Sequence, residues 1–403
     1  MQYGRIENVI TDQNMFWSLK RRMKDTSWKE SVQRYVHHFA VKNHRQVQII
    51  QSGAEPALNN STMHMTLVER GKKRDINAVC IDSRVVQGCL CDSCITPLTQ
   101  PTLIYDNPAS TAGKGVNHAR KRVVEFIRRF VQKNGTRGFA FGFDFKSFFK
   151  SIPHTRCLHE LRKVGIDEPL QRLVMFFIRK YQEQDAARMS DPEERAAEYK
   201  RIENGTAIGV TLGSQISQDM ALVVPNDVDH TAKDKMRIGE FIRYMDDGLA
   251  MADTKERLLA LWNKSAEVCK DIGLAFNQAK THITSLSHGF TFLKCRYFVT
   301  ESKKIVRKMC RQSIVRIRRH LKKFRAKVNT GEMLLDDVYG SVSSWLGNAK
   351  KYFMSYYSRK SITTLYYRLF HGYRLEDKTH DLLQAYRRRL RCGRGAYLAQ
   401  VSR

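Results

Sequence analysis

The sequence predicts an α+β fold, and three observations carry that prediction. GFAFGFDFKSFF (138–149) sets phenylalanine at every second position, the period of a strand with one buried face. GEFIRY (239–244) and LAMA (249–252) read as two short strands, and Asp247-Gly248, a strong hairpin-turn pair, puts Asp246 and Asp247 at the apex between them. From residue 301 onward, apolar residues instead recur at helical spacing.

The chain has 403 residues, 42% hydrophobic and 27% charged, enough for two or three domains with a substantial core. Its charge is the unusual quantity. Seventy Lys and Arg against 40 Asp and Glu give a formal +30. A folded chain that basic predicts a polyanionic partner, most often nucleic acid, rather than a merely basic surface. Residues 301–403 hold 25 basic and 7 acidic residues, +18 of the total, and so mark a separate basic module.

No stretch approaches the ~18 apolar residues of a membrane span, and MQYGRIENVITDQN lacks the plan of a signal peptide. A cytoplasmic protein with no membrane partner is expected. Nine cysteines in irregular positions then imply reduced thiols. Cys91 and Cys94 have zinc-like spacing, with Cys80 and Cys89 upstream, but VVQGCLCDSCI reads as a buried helix; metal binding by these four stays open.

Taken in order, residues 1–60 read as mostly helical. YQEQDAARMSDPEERAAEYKRIEN (181–204) is polar and predicts a surface helical insertion. RKMCRQSIVRIRRHLKKFRAK (307–327) predicts a helix with Ile314, Ile317, Leu321 and Phe324 on one stripe and Arg311, Arg318, Lys322 and Arg325 mostly beside or opposite it. With few acids to pair with, that basic face suits phosphates. Among the aromatics that follow (Trp345, Tyr352, Phe353, Tyr356, Tyr357, Tyr366, Tyr367), most are expected in a core and one or two to stack on bases or sugars.

Asp246 and Asp247 are adjacent in an apolar stretch, with only Arg243 as a basic neighbour. Two carboxylates about 4 Å apart repel by roughly 4 kcal/mol at an effective dielectric near 20. A divalent cation relieves that repulsion, and hard oxygen ligands suit Mg²⁺. Asp144, of opposite parity to Phe139, Phe141, Phe143 and Phe145, offers a third carboxylate; its plainer reading is an N-cap for the next helix. Three aspartates on adjacent strands would suit two Mg²⁺ ions and in-line phosphoryl displacement.

FDFKSFF (143–149), LGSQISQ (212–218) and YMDD (244–247) resemble, in order and spacing, the palm motifs of reverse transcriptases. GKKRDI (71–76) with DSRVVQ (82–87), and ASTAGKGVNHA (109–119), resemble the fingers motifs. GLAFNQAKTHI (273–283) is similar to the motif ending in a palm lysine, and FTFLKCRY (290–297) to the primer-grip hairpin.

The resemblance covers roughly residues 70–300. It implies an α+β right-hand polymerase fold with fingers, antiparallel-sheet palm and helical thumb. The implied division is 1–120 N-terminal extension and fingers, 121–154 palm, 155–211 fingers insertion, 212–300 palm, and 301–403 basic thumb with a tail. Asp144 and Asp246 become the principal metal ligands, with Asp247 supporting, for two Mg²⁺ ions or Mn²⁺. Lys280 becomes a proton donor to pyrophosphate, Lys72 and Arg74 neutralise the triphosphate, and Phe149 is the steric gate against a ribose 2′-OH. Leu212, Gly213 and Gln218 line the nucleotide site, with Gly213 permitting close backbone approach. Tyr244, Met245, Phe292, Leu293 and Lys294 meet the primer, while Arg311, Arg318 and Lys322 meet the duplex.

The central motif departs from the Gln-Gly…Ser-Pro form common in the family: Leu212-Gly213 and Ser217-Gln218 stand there instead. That form looks like diversity-generating retroelements, whose copying is error-prone, and like some unclassified bacterial enzymes. The implied partners are a dedicated noncoding RNA template, an RNA–DNA or DNA product, dNTPs, and an accessory protein or a second copy of the chain. Phage defence is the leading biological expectation, ahead of diversification and a retron role. A catalytically inert RNA-binding scaffold is the reading from another class.

Overall fold

Residues 4–58 are mostly helical, as predicted for this stretch, with helices Ile6–Val9, Asp12–Met23, Glu30–His37 and Phe39–Gln51. The structure is a computed structural model and describes residues 4–58, 63–69, 72–350 and 355–370. Strands β1 (Met63–Glu69) and β2 (Lys72–Ala78) form an antiparallel hairpin. Next come the helices Ile81–Leu90 and Val116–Asn134, then β3 (Phe139–Asp144). The polar stretch 181–204 is helical as expected, shared between Glu168–Ala187 and Pro192–Glu203; Asp191 caps the latter through the Glu193 and Glu194 amides. Strands β4 (Phe241–Tyr244), β5 (Asp247–Ala252) and β6 (His282–Ser285) join β3 in one sheet, ordered β4-β5-β3-β6.

Two compact units result, one of residues 1–126 and 139–283, the other of 127–138 and 284–403. In the first, the phenylalanine alternation becomes a core. Phe141, Phe143 and Phe145 are buried, and Phe276 packs against all three rings. Phe241 stacks on Phe143 and Trp262 on Phe141. Such aromatic pairs add about 0.5–1.5 kcal/mol each beyond area burial, so β3 is a rigid support for the residue that ends it, Asp144.

The hairpin turn lies earlier than the sequence suggests. Of the two aspartates expected at the apex, Asp246 makes the turn together with Met245, whereas Asp247 and Gly248 already begin β5. Gly248 is required by packing instead: a Cβ there would meet the Phe143 ring at 1.9 Å. Met245 takes the turn's left-handed conformation, φ +54°.

In the second unit, β7 (Phe290–Phe292), β8 (Cys295–Val299) and β9 (Ile305–Met309) form an antiparallel meander. The basic helix spans Arg311–Asn329, so residues 307–309 of the predicted helix are strand. Ile317 and Leu321 are buried on its apolar stripe, with Ile314 and Phe324 partly buried, against Leu335–Ala349 and Tyr356–Leu369. No helix among the described residues is long and apolar enough to cross a membrane.

Candidate active site

Antiparallel pairing of β3 with β5 sets Asp144 directly opposite Asp247. The Phe145 amide donates to the Asp246 carbonyl oxygen at 3.2 Å, which fixes the turn beside the end of β3. Asp144 is 6% exposed. Its Oδ2 accepts from Lys280 Nζ at 2.8 Å, its Oδ1 from Asn277 Nδ2 at 3.5 Å, and its carbonyl oxygen from the Asn277 amide at 2.7 Å. It does not cap the following helix; Ser147 holds that position.

Charge couples these groups. Burial, and next the negative Asp144, push the Asp246 carboxyl above the ordinary carboxylate range, while Lys280 and Arg74 pull it back. Burial works to lower the Lys280 ammonium, yet the Asp144 hydrogen bond and the charges of Asp144, Asp246 and Asp247 together raise it. Four of the expected site residues therefore feel one another, and the Arg74 charge reaches Asp246. Among the described residues no three metal-ligating side chains gather into one cluster, and Lys280 occupies Asp144. The donor set still fits magnesium, which takes one or two carboxylates and completes its shell with waters and substrate phosphates. The electrostatic strain on Asp246 is of the kind a divalent cation relieves.

Arg243 does not neutralise the aspartate pair, as its position in the sequence invites one to think. Fully buried, it pairs with the fully buried Asp229 through Nε–Oδ1 at 2.7 Å and Nη2–Oδ2 at 2.8 Å. It also donates to the carbonyl oxygens of Leu222 at 2.7 Å and Met245 at 3.1 Å. The guanidinium thus ties the backbone of the Met245-Asp246 turn to the helices behind it.

Residues 60–297 match the family described as reverse transcriptase (RNA-dependent DNA polymerase). The chain belongs to that family. Its α+β architecture is accordingly the right-hand polymerase fold. No curated protein matches it. Among solved structures it is similar to apo telomerase from Candida tropicalis truncated from the C-terminal domain (12% identity, TM-score 0.40, 67% of this chain and 60% of that one). It is also similar to Candida albicans telomerase with a telomeric RNA fragment (12%, 0.41, 90% and 68%) and to apo C. tropicalis telomerase (12%, 0.42, 86% and 66%).

The central motif, residues 212–218, is stitched to the β1–β2 hairpin. The Asn77 amide donates to the Leu212 carbonyl oxygen at 3.0 Å, and Gly213 sits at φ +115° with its would-be Cβ 2.4 Å from the Asn77 carbonyl oxygen. The close approach Gly213 allows here is to the chain's own backbone. Gly213 and Gln218 line a polar cavity of about 440 Å³ with Arg22, Arg84 and the buried Asp219, whose carboxyl burial pushes up to about 6. Phe149 packs half-buried on the core, edge-on to Phe148. Arg74 is exposed on β2; the Lys72 side chain lies outside the described residues.

In the second unit, Phe292 is buried, and Leu293 and Lys294 form the β7–β8 turn with φ +44° and +64°. Arg311, Arg318 and Lys322 are exposed on their helix. Cys89, Cys91 and Cys94 lie buried where a helix was expected, and burial raises all three thiols, Cys89 and Cys94 to about 12. Among the described residues these cysteines form no cluster of three or more metal-ligating side chains.

Sequence reasoning missed Asp229 and Asn277. Asn277 lies three residues before Lys280, and both reach Asp144, so its motif held the signal. Asp229 lies in NDVDH, with no spacing that links it to Arg243.

Proposed function

We propose that the protein is an RNA-directed DNA polymerase that extends a DNA 3′ end from dNTPs on a dedicated noncoding RNA, in the cytoplasm, in defence against phage. The observation that carries the chemistry is Asp144 opposite Asp247 on paired strands, with Asp246 on the adjoining turn and Lys280 on Asp144. Asp144 and Asp246, supported by Asp247, would hold Mg²⁺ or Mn²⁺, which when bound supplies positive charge for the phosphates and acidifies the attacking hydroxyl. Lys72 and Arg74 neutralise the triphosphate, and Lys280, kept protonated by its acidic neighbours, gives a proton to the departing pyrophosphate. The primer 3′-hydroxyl gives up its proton to solvent water and its oxygen bonds to the α-phosphorus as the bond to the pyrophosphate oxygen breaks. The Phe149 ring excludes a ribose 2′-OH, while Leu212, Gly213 and Gln218 bound the nucleotide. Tyr244, Met245, Phe292, Leu293 and Lys294 position the primer, and Arg311, Arg318 and Lys322 hold nucleic-acid phosphates. In this reading residues 1–120 and 155–211 serve as N-terminal extension and fingers, 121–154 and 212–300 as palm, and 301–403 as thumb and tail.

The test is incorporation of labelled dNTPs by the purified protein with Mg²⁺ and a primed RNA. Extension that is lost in Asp246→Asn supports the proposal; none with any primer or template supplied overturns it. LGSQISQ favours a second biological reading, error-prone copying in a diversity-generating retroelement, which would show as frequent misincorporation in the same assay. If the biological function survives Asp246→Asn, the scaffold reading replaces both.

A further inference from the structure

The second unit contains a groove of about 650 Å³ between the helices Arg311–Asn329 and Tyr356–Leu369. Arg318, Arg319 and Lys322 line one wall, Lys360 and Arg368 the other, and no carboxylate lines it among the described residues. On the first helix Arg318 and Lys322 are four apart; on the second Lys360 and Arg368 are eight apart, so each wall presents cations along one face. Arg318 Nη2 donates to Ser361 Oγ at 2.7 Å, which fastens one wall to the other. Val315 and Leu365 supply apolar surface between the charged rows. Tyr357 also lines the groove and is 83% exposed; its neighbour Tyr356, 55% exposed, meets it edge-on. The other described aromatics singled out in this stretch, Trp345, Tyr366 and Tyr367, belong to the helical core.

We propose that this groove binds an unpaired nucleic-acid strand, its phosphates on the two cationic walls and a base stacked on Tyr357. Cations without acids select a polyanion. The ring selects the strand's state. Inside a duplex both faces of each base are covered by neighbours, so away from the ends an exposed phenol gains nothing; an unpaired strand offers a free base face all along its length, worth about 1–3 kcal/mol in stacking. The inference deepens the polymerase reading, since an RNA template ahead of synthesis and a displaced DNA product are both unpaired strands with this chemistry.

Fluorescence anisotropy on the full chain tests it, with short oligouridine, oligothymidine and a blunt RNA–DNA hybrid, all without dNTPs. Tyr357→Ala is expected to weaken single strands roughly 5- to 150-fold, the equivalent of about 1–3 kcal/mol, leave the hybrid unchanged, and be rescued in Tyr357→Phe. A larger effect on oligouridine assigns the groove to template, on oligothymidine to product. The Arg318→Ala, Lys322→Ala pair should reduce the log–log salt slope for single strands by about 1.4, at ~0.7 per phosphate contact. Equal weakening of hybrid and single strands, or no weakening of either single strand, overturns the proposal. Tyr357-dependent binding in a protein that never incorporates dNTPs would overturn the polymerase reading alone, whereas polymerisation without it overturns only the groove.

Discussion

The Arg243 guanidinium grips the Asp229 carboxylate with two nitrogens, neither residue touching solvent. Removing one member of a buried pair leaves a bare charge and typically costs about 3–5 kcal/mol. Arg243→Met should therefore lower stability by that order in urea titration. Arg243→Lys should rescue little, because an ammonium cannot reproduce the planar fork that also reaches Leu222 and Met245.

Asp246→Asn should stabilise the metal-free protein while abolishing incorporation. The folded Asp246 carboxyl is raised, so its contribution to stability is full below the ordinary aspartate value and is lost as pH climbs through the raised value. The variant's gain in melting temperature should accordingly be largest at neutral pH and vanish in acid. Added Mg²⁺ should narrow the gap by stabilising wild type alone.

Lys280→Ala should reduce the turnover number on the order of 10²- to 10⁴-fold, the range for a lost general acid. It also frees Asp144 from its ion partner, so Mg²⁺ affinity measured by calorimetry should hold or rise. A fall in turnover with metal affinity intact separates proton donation from a role in assembling the site.

Phe149→Ala should let ribonucleotides in. Removing the ring ought to cut the deoxy-over-ribo preference in kcat/KM roughly 5- to 150-fold, corresponding to about 1–3 kcal/mol of lost discrimination. Phe149→Tyr should keep the preference.

Gly213→Ala should destabilise by about 1–3 kcal/mol through a forced positive φ. The added methyl also meets the Asn77 carbonyl oxygen. The expected signature is faster hydrogen exchange at the Asn77 amide, whose acceptor is Leu212.

What could be read from sequence was what local periodicity encodes. The phenylalanine alternation foretold β3 and the side from which Asp144 projects, and the spacing of Ile317 and Leu321 foretold the buried stripe of the basic helix. The hairpin apex was misplaced because Asp-Gly is usually a turn signal, whereas Gly248 is small to admit the Phe143 ring, a tertiary demand. Asp229 and the Asn77–Leu212 stitch escaped for a similar reason. Arg243 and Asp229 lie fourteen positions apart on different elements, so only the folded chain makes them partners.

Met245 stands in a backbone region that glycine enters without cost and that other residues rarely occupy. The shape of the bend thus owes nothing to the thioether, which packs instead beside Ala109, Leu222 and Val223. A lineage could exchange methionine for glycine before the paired acids, trading a packing contact for a relaxed bend, and leave both carboxylates standing where they are.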